Sequence, residues 1–380
     1  MNGDVYVRAV GVVTAAGTGI PALASALARA DWQATLSLER PDAPPLPVAV
    51  CRDFSTQGHL PPMVARRLDR PARLLAVAAR EALGTVGEPF PWPRDEVGVT
   101  AGTANAGTEA LVEVLKAVFL ASPEEAPPMQ FPSTVANAPA SQLAILEKFG
   151  GPNLTFAEKQ AGGLRAVVEA GRLLGRRRAA AVLACGVDEA QWLNAEAYHR
   201  LRFTRRSASG PGAILGEGAA VLLLSSSPGD APLARLAGWG AAAVPTATHL
   251  YPSSGEPLAR AIMLALEHSG AATRDVDLLL SLHSGAPRLA RLETEALASA
   301  LGQRRPAAMA VTDRLGEGAF SSALRALVAV LALGGAPIAW PPPPHLATLG
   351  FPGLSHPPRT ALVTALAGGG SAVAAVLTAP

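Results

Sequence analysis

Two apolar patterns take turns along the chain. One is the short unbroken run, as in residues 179–186, which read Ala-Ala-Ala-Val-Leu-Ala-Cys-Gly. The other recurs every three or four positions, as in Leu164, Val167, Val168, Gly171 and Leu174. The first predicts a strand buried on both faces and the second an amphipathic helix. In the first part of the chain the strand pattern falls at 5–15, 97–101, 154–157, 179–186 and 216–225. Helical spacing falls at 20–30, 61–83, 131–149 and 164–174, and in the stretch that follows the Gly-Thr-Ala-Asn-Ala-Gly turn through Phe119. The second part repeats the order, with strands at 233–244, 276–283, 307–312, 360–366 and 372–378 and helices at 256–269, 289–301 and 323–333. Residues 43–52 are Pro-rich and read as a surface excursion, and 341–344 with 350–358 read as a stiff loop.

Strands that alternate with helices predict largely parallel sheets covered on both faces and joined by right-handed crossovers. Each part closes with two strands, so the chain reads as one α/β unit made twice. Such a pair stacks as two sheets with the central helices between them, a five-layer αβαβα fold with halves at 1–228 and 229–380. A chain of 380 residues is long enough to bury a core of that size.

Composition narrows the function classes. Net charge is +2, charged residues make up 16%, and no basic run exceeds Arg176, Arg177 and Arg178, which argues against nucleic acid and anionic membrane as partners. Apolar residues make up 49%, yet no stretch reaches the roughly 18 needed for a bilayer span. The opening Met-Asn-Gly-Asp has no basic n-region, so a cytoplasmic location is expected. Cys51 and Cys185 sit in apolar settings and form neither a disulfide framework nor a metal pattern, and Cys185 reads as inert core.

The candidate chemistry centres on residues 151–164. An extended apolar run meets a tight corner and then a helix, an arrangement that lifts one side chain toward a helix N-terminus. The dipole and free N–H groups there stabilise a thiolate or an oxyanion. The residue at that corner is Gln160, whose amide has no ionisable proton and is a poor nucleophile. By itself such a Gln reads as a structural group bonded to the backbone.

The motifs around this corner resemble the β-ketoacyl synthases of the thiolase fold. The resemblance rests on Val10-Gly-Val-Val-Thr14, the 66–83 helix with its Arg-Arg-Leu-Asp-Arg start, the 131–140 stretch Phe-Pro-Ser-Thr-Val-Ala-Asn-Ala-Pro-Ala, Gly186-Val-Asp-Glu189 and Gly216-Glu-Gly-Ala219. The family implies a Cys nucleophile and two His residues that promote decarboxylation and hold the thioester oxyanion. Here the Cys position falls on Gln160. The first His position falls on Ser284, or on His283 if a two-residue shortening before Glu293 is placed otherwise. Ser284 fits better, because Ser284-Gly285 then matches the family's His-Gly. The second His position is Glu317, after Gly316, and the Lys of the same motif is Thr312.

Three losses in one scaffold resemble the chain length factor, the inactive β-subunit of a ketosynthase. Glu317 and the shortened loop most resemble the factors of polyene-making systems. The resemblance implies an active ketosynthase as heterodimer partner and an acyl carrier protein serving the complex. It implies no catalytic residue and no cofactor or metal of this chain's own, since substrates ride on the carrier's phosphopantetheine. It places a tunnel end wall at Leu111, Leu115, Phe119, Gln130 and Phe131, and a dimer edge at the strand carrying Phe156. The alternative is a Gln-type malonyl-carrier decarboxylase, which would need the His pair as donors to the enolate. An ionised Glu317 only accepts.

Each residue also has a plainer reading. Leu111, Leu115 and Phe119 would be ordinary core, and His283 a bonded core histidine. Glu317 would sit at a helix start where the dipole favours a carboxylate. Lys159 would pair on the surface with Glu158 or Glu147. His199, His249, His345 and His356 fall in loops with no metal spacing.

Overall fold

The computed structural model describes residues 4–41, 43–205 and 210–380. The opening Met1, Asn2 and Gly3, on which the missing n-region bears, lie outside them. Ten strands form two five-stranded sections. In the first the order is Tyr6–Thr14, Gly218–Ser225, Ala181–Asp188, Val97–Gly102 and Asn153–Phe156. In the second it is Ala234–Ala243, Ser371–Thr378, Thr360–Leu366, Leu278–Ser281 and Ala307–Ala310. The sections join through Tyr6 opposite Arg235 and Val7 opposite Ala234, so hydrogen bonding makes them one sheet.

The sheet is less parallel than the alternation of elements suggested. Two ladders in each section are antiparallel and two parallel. In the second section the reversal is local, because Gly369 and Gly370, both at positive φ, turn Thr360–Leu366 directly back into Ser371–Thr378.

Strand periodicity sets the layers. Val182, Ala184, Leu222 and Leu224 face a core shared with Leu278, Leu280, Val363 and Ala375 and with the helices Gly162–Gly175 and Ala319–Leu333. Their neighbours Leu183, Cys185, Val221 and Leu223 face outward, against Arg70–Leu83 and Ala138–Glu147. On the other side Leu279, Leu362 and Val376 pack on Glu256–Ser269 and Pro287–Leu301. Helices therefore lie outside, between and outside the two sheet sections, which is the five-layer αβαβα order. Gly163 lets the two central helices touch, since a Cβ there would overlap the Ala319 carbonyl.

Several local expectations need correction. Residues 43–52 are not merely a surface excursion, because Ala43–Ala49 is a strand paired with Leu36–Arg40 and Leu215–Gly216, with Leu46, Val48 and Ala49 buried. The 61–83 helix is two, Pro62–Ala65 and Arg70–Leu83, divided where Asp69 caps the second by accepting from Ala72 N at 3.0 Å. His199 sits in a helix, Trp192–Arg200, and His345 in a short one, Pro344–Ala347. Among the described residues no helix is long and apolar enough to cross a membrane.

Candidate functional site

The corner forms as a single turn of 3₁₀ helix, Lys159–Ala161, between the edge strand Asn153–Phe156 and the helix Gly162–Gly175. Lys159 adopts a left-handed φ of 48°, a strained setting for a side-chain-bearing residue and one that marks the turn. Its ammonium donates to the Thr248 carbonyl instead of pairing with Glu158 or Glu147. Glu158 is held by Arg165 and Ser371, and Glu147 by Arg80. Gln160 is buried at the turn and its Oε1 has no hydrogen-bond partner, so it is not the backbone-bonded group a plain structural reading expects. Above it opens a cavity of about 700 Å³ walled by Tyr198, Phe203 and Tyr251, with Lys159, Arg202 and Arg288 in its walls and no carboxylate among them.

Ser284 and Glu317 come together, both buried, with Glu317 close enough to Tyr251 in the cavity wall to act on it electrostatically. Burial pushes the Glu317 carboxyl up to about 7, and the nearby Ser284 hydroxyl and the more distant Arg325 guanidinium only partly offset it. Glu317 is not at a helix start. The central helix begins at Ala319, and its first N–H groups, from Ala319 and Phe320, donate to Asp188. Asp188 also accepts from Thr103 Oγ1 at 3.0 Å, Ala104 N at 2.7 Å and Asn105 N at 2.8 Å. The dipole that was to favour Glu317 is therefore taken by a carboxylate from a strand 131 residues earlier.

His283 turns elsewhere. Its ring lies 4.9 Å from that of His345, and burial followed by the neighbouring His345 pushes it down to about 4. His345 Nε2 lies 2.9 Å from the buried Glu293, which also accepts from Ser281 Oγ at 2.7 Å and Leu282 N at 2.9 Å. Glu217 of the Gly-Glu-Gly motif grips Arg70 and accepts from Cys51 N at 2.8 Å and Ala190 N at 3.1 Å, so this signature ties elements together. Cys185 is fully buried in the outer core with its thiol pushed up by burial. His345, read from the sequence only as a loop residue without metal spacing, stands against Glu293, and Arg325 went unread. Arg325 is the lone charge in the otherwise apolar helix Ala319–Leu333, which was the available signal.

At the other end of the site, helix Thr108–Leu120 leaves Leu111 40% and Phe119 76% exposed, with Leu115 half-exposed between them. That rules out ordinary core for the three. Gln130 and Phe131 are exposed on the turn beside this helix, and Phe156 is half-buried on the edge strand, which pairs only with Val97–Gly102 among the described residues.

The β-ketoacyl synthase N-terminal domain model matches residues 53–228. The tetracenomycin polyketide synthase ketoacyl synthase beta subunit of Streptomyces glaucescens is 30% identical over 339 residues, covering 81% of this chain and 79% of that one. The chain belongs to the β-ketoacyl synthase family. A second family relative, the actinorhodin polyketide putative β-ketoacyl synthase 2 of Streptomyces coelicolor, is 29% identical over 270 residues, 66% of this chain and 65% of its own. The fold of this β-ketoacyl synthase relative is that of the ishigamide ketosynthase/chain length factor (TM-score 0.85, 20% identity, the whole of both chains). It is also that of a ketosynthase in complex with its chain length factor from Xenorhabdus doucetiae (TM-score 0.81, 18% identity, 100% of this chain and 98% of that one).

Proposed function

We propose that the chain is a chain length factor: a non-catalytic subunit that pairs with an active β-ketoacyl synthase and closes the tunnel in which the acyl chain grows. The observation that carries this reading is the content of the corner. A nucleophile needs an ionisable or hydroxyl proton and a base, and the corner holds a buried amide. An oxyanion or enolate needs convergent donors, and the buried pair is Ser284 and Glu317, of which an ionised Glu317 only accepts. We assign the first His position to Ser284, because it lies beside Glu317 whereas His283 faces His345. The missing His pair also weighs against the Gln-type decarboxylase. The relatives' names, a ketoacyl synthase beta subunit and ketosynthase–chain length factor pairs, agree with this reading. We also propose service in a polyene-making system, a reading supported by the resemblance of Glu317 and of the short loop before Glu293 to that subgroup.

The partner's place follows from the open edge. Asn153–Phe156 offers unpaired backbone groups, and Leu111, Leu115, Phe119 and Phe131 leave apolar surface for a partner to cover. An active ketosynthase adding its own edge strand there would bury more than roughly 2,000 Å² in total. Acyl groups reach the complex on the phosphopantetheine of an acyl carrier protein. Co-expression with an active β-ketoacyl synthase from the same source, followed by size-exclusion chromatography with multi-angle scattering, tests the pairing. A one-to-one heterodimer is expected, and a stable homodimer that ignores the ketosynthase would contradict it.

A further inference from the structure

The exposed apolar side chains at the open edge hang from one buried point. Leu111, Leu115 and Phe119 belong to the helix Thr108–Leu120, and Phe131 to the single turn Phe131–Ser133. The two segments meet at Gly107, which takes a left-handed φ of 85°. A Cβ there would lie 2.7 Å from the Ser133 carbonyl oxygen. Gly107 has no side chain to cap the helix, so its first N–H groups need partners from elsewhere. Glu189, just past the strand Ala181–Asp188, supplies one: its Oε1 accepts from Glu109 N at 3.0 Å. Asp188 beside it holds Ala104 N and Asn105 N in the turn that leads into the same helix. Glu189 is 3% exposed and does not line the cavity above Gln160. Burial first, then the like charges of Glu109, Asp69 and Asp188, outweigh the Glu109 N–H and push its carboxyl up to about 8. Near neutral pH it therefore accepts as an uncharged group.

We propose that Glu189 is a positioning residue for chain length: through Glu109 N it fixes the first turn of Thr108–Leu120, and with it the wall made by Leu111, Leu115, Phe119 and Phe131. The inference rests on the wall role that the proposed function gives those side chains. Glu189 acts through the helix and not by contact with the acyl chain. A close-packed wall excludes a further two-carbon unit only while its backbone holds still, because a small displacement relieves the overlap. Without Glu189 the Glu109 N–H is left unpaired, and the first turn gives way at lower cost when a growing chain presses on it. The Phe131 turn follows, since its Ser133 carbonyl rests against Gly107.

Mass spectrometry of the carrier-bound products made by the intact ketosynthase pair tests this, with melting temperature and total product recorded alongside. Glu189→Ala removes the acceptor, and Glu189→Asp keeps a carboxyl but falls one methylene short of Glu109 N. Each should move the main product toward greater length by at least one two-carbon unit. Glu189→Gln keeps the acceptor oxygen without a charge and should give the wild-type distribution. A residue with a merely structural role would lower the melting temperature and total product and leave the distribution where it was. Should Glu189→Ala fail to fold, Glu189→Asp and Glu189→Gln decide. An unchanged distribution in Glu189→Asp with the complex intact, or lengthening by Glu189→Gln equal to that of the other variants, would overturn the proposal. Leu111→Trp in the same assay separates this inference from the wall reading. If it shortens the product while the Glu189 variants change nothing, only the role of Glu189 falls. If it too changes nothing, the wall reading falls and this inference with it.

Discussion

Gln160 lies on a strained turn at the head of a central helix, and in the proposed function it takes the place of the family's thiol. Restoring the thiol should therefore not restore condensation. Gln160→Cys is expected to leave elongation by the isolated chain undetectable in a carrier-bound product assay, because Ser284 and Glu317 do not replace the His pair. Glu317 yields a second prediction. Its carboxyl is raised from the ordinary glutamate value to about 7, so the folded state holds the proton more tightly than the unfolded chain. The stability this gives is full below about pH 4 and is lost as pH rises through about 7. At about 1.4 kcal/mol per pKa unit that loss reaches up to about 3 kcal/mol. Glu317→Gln should gain that much on the wild type between pH 5 and pH 8 in urea unfolding, and parallel stability profiles would refute it. Gln160, Ser284 and Glu317 could be singled out in the motifs. Their environments could not be read there, because burial and the Asp188 contact are set by residues far apart in sequence. Arg325 was missed for a related reason: one charge in an apolar helix barely disturbs the periodicity.

At the scale of elements, the periods of two and 3.6 found nearly every strand and helix of the layers, since each buries a face against a neighbour. They failed where local chemistry hid the pattern. Pro44, Pro45 and Pro47 masked the strand Ala43–Ala49, whose partners come from two other segments. The break at Asp69 was hidden because apolar spacing runs through it, although its carboxylate is a good cap. Asp69→Ala should cost about 1 kcal/mol, read as a lower urea midpoint. Asp188 binds more: it joins the turn at Thr103–Asn105 to the start of the central helix. Asp188→Ala leaves those buried N–H groups unpaired and should cost about 3 kcal/mol or more, several times the effect at Asp69.

Across the whole molecule, the five layers place the Gln160 corner inside and an apolar edge outside. The strand Asn153–Phe156 and the exposed Leu111, Leu115, Phe119 and Phe131 make sense when a second subunit covers them, and in the proposed function that subunit brings the reactive groups. In that arrangement these side chains set how far a growing chain can extend, since a close-packed wall excludes each further methylene by overlap. The most direct test is mass spectrometry of the carrier-bound products made by the ketosynthase pair. Leu111→Ala or Phe131→Ala should lengthen the product by one or more two-carbon units and Leu111→Trp should shorten it. An unchanged length distribution in both directions, with the complex intact, would contradict the account.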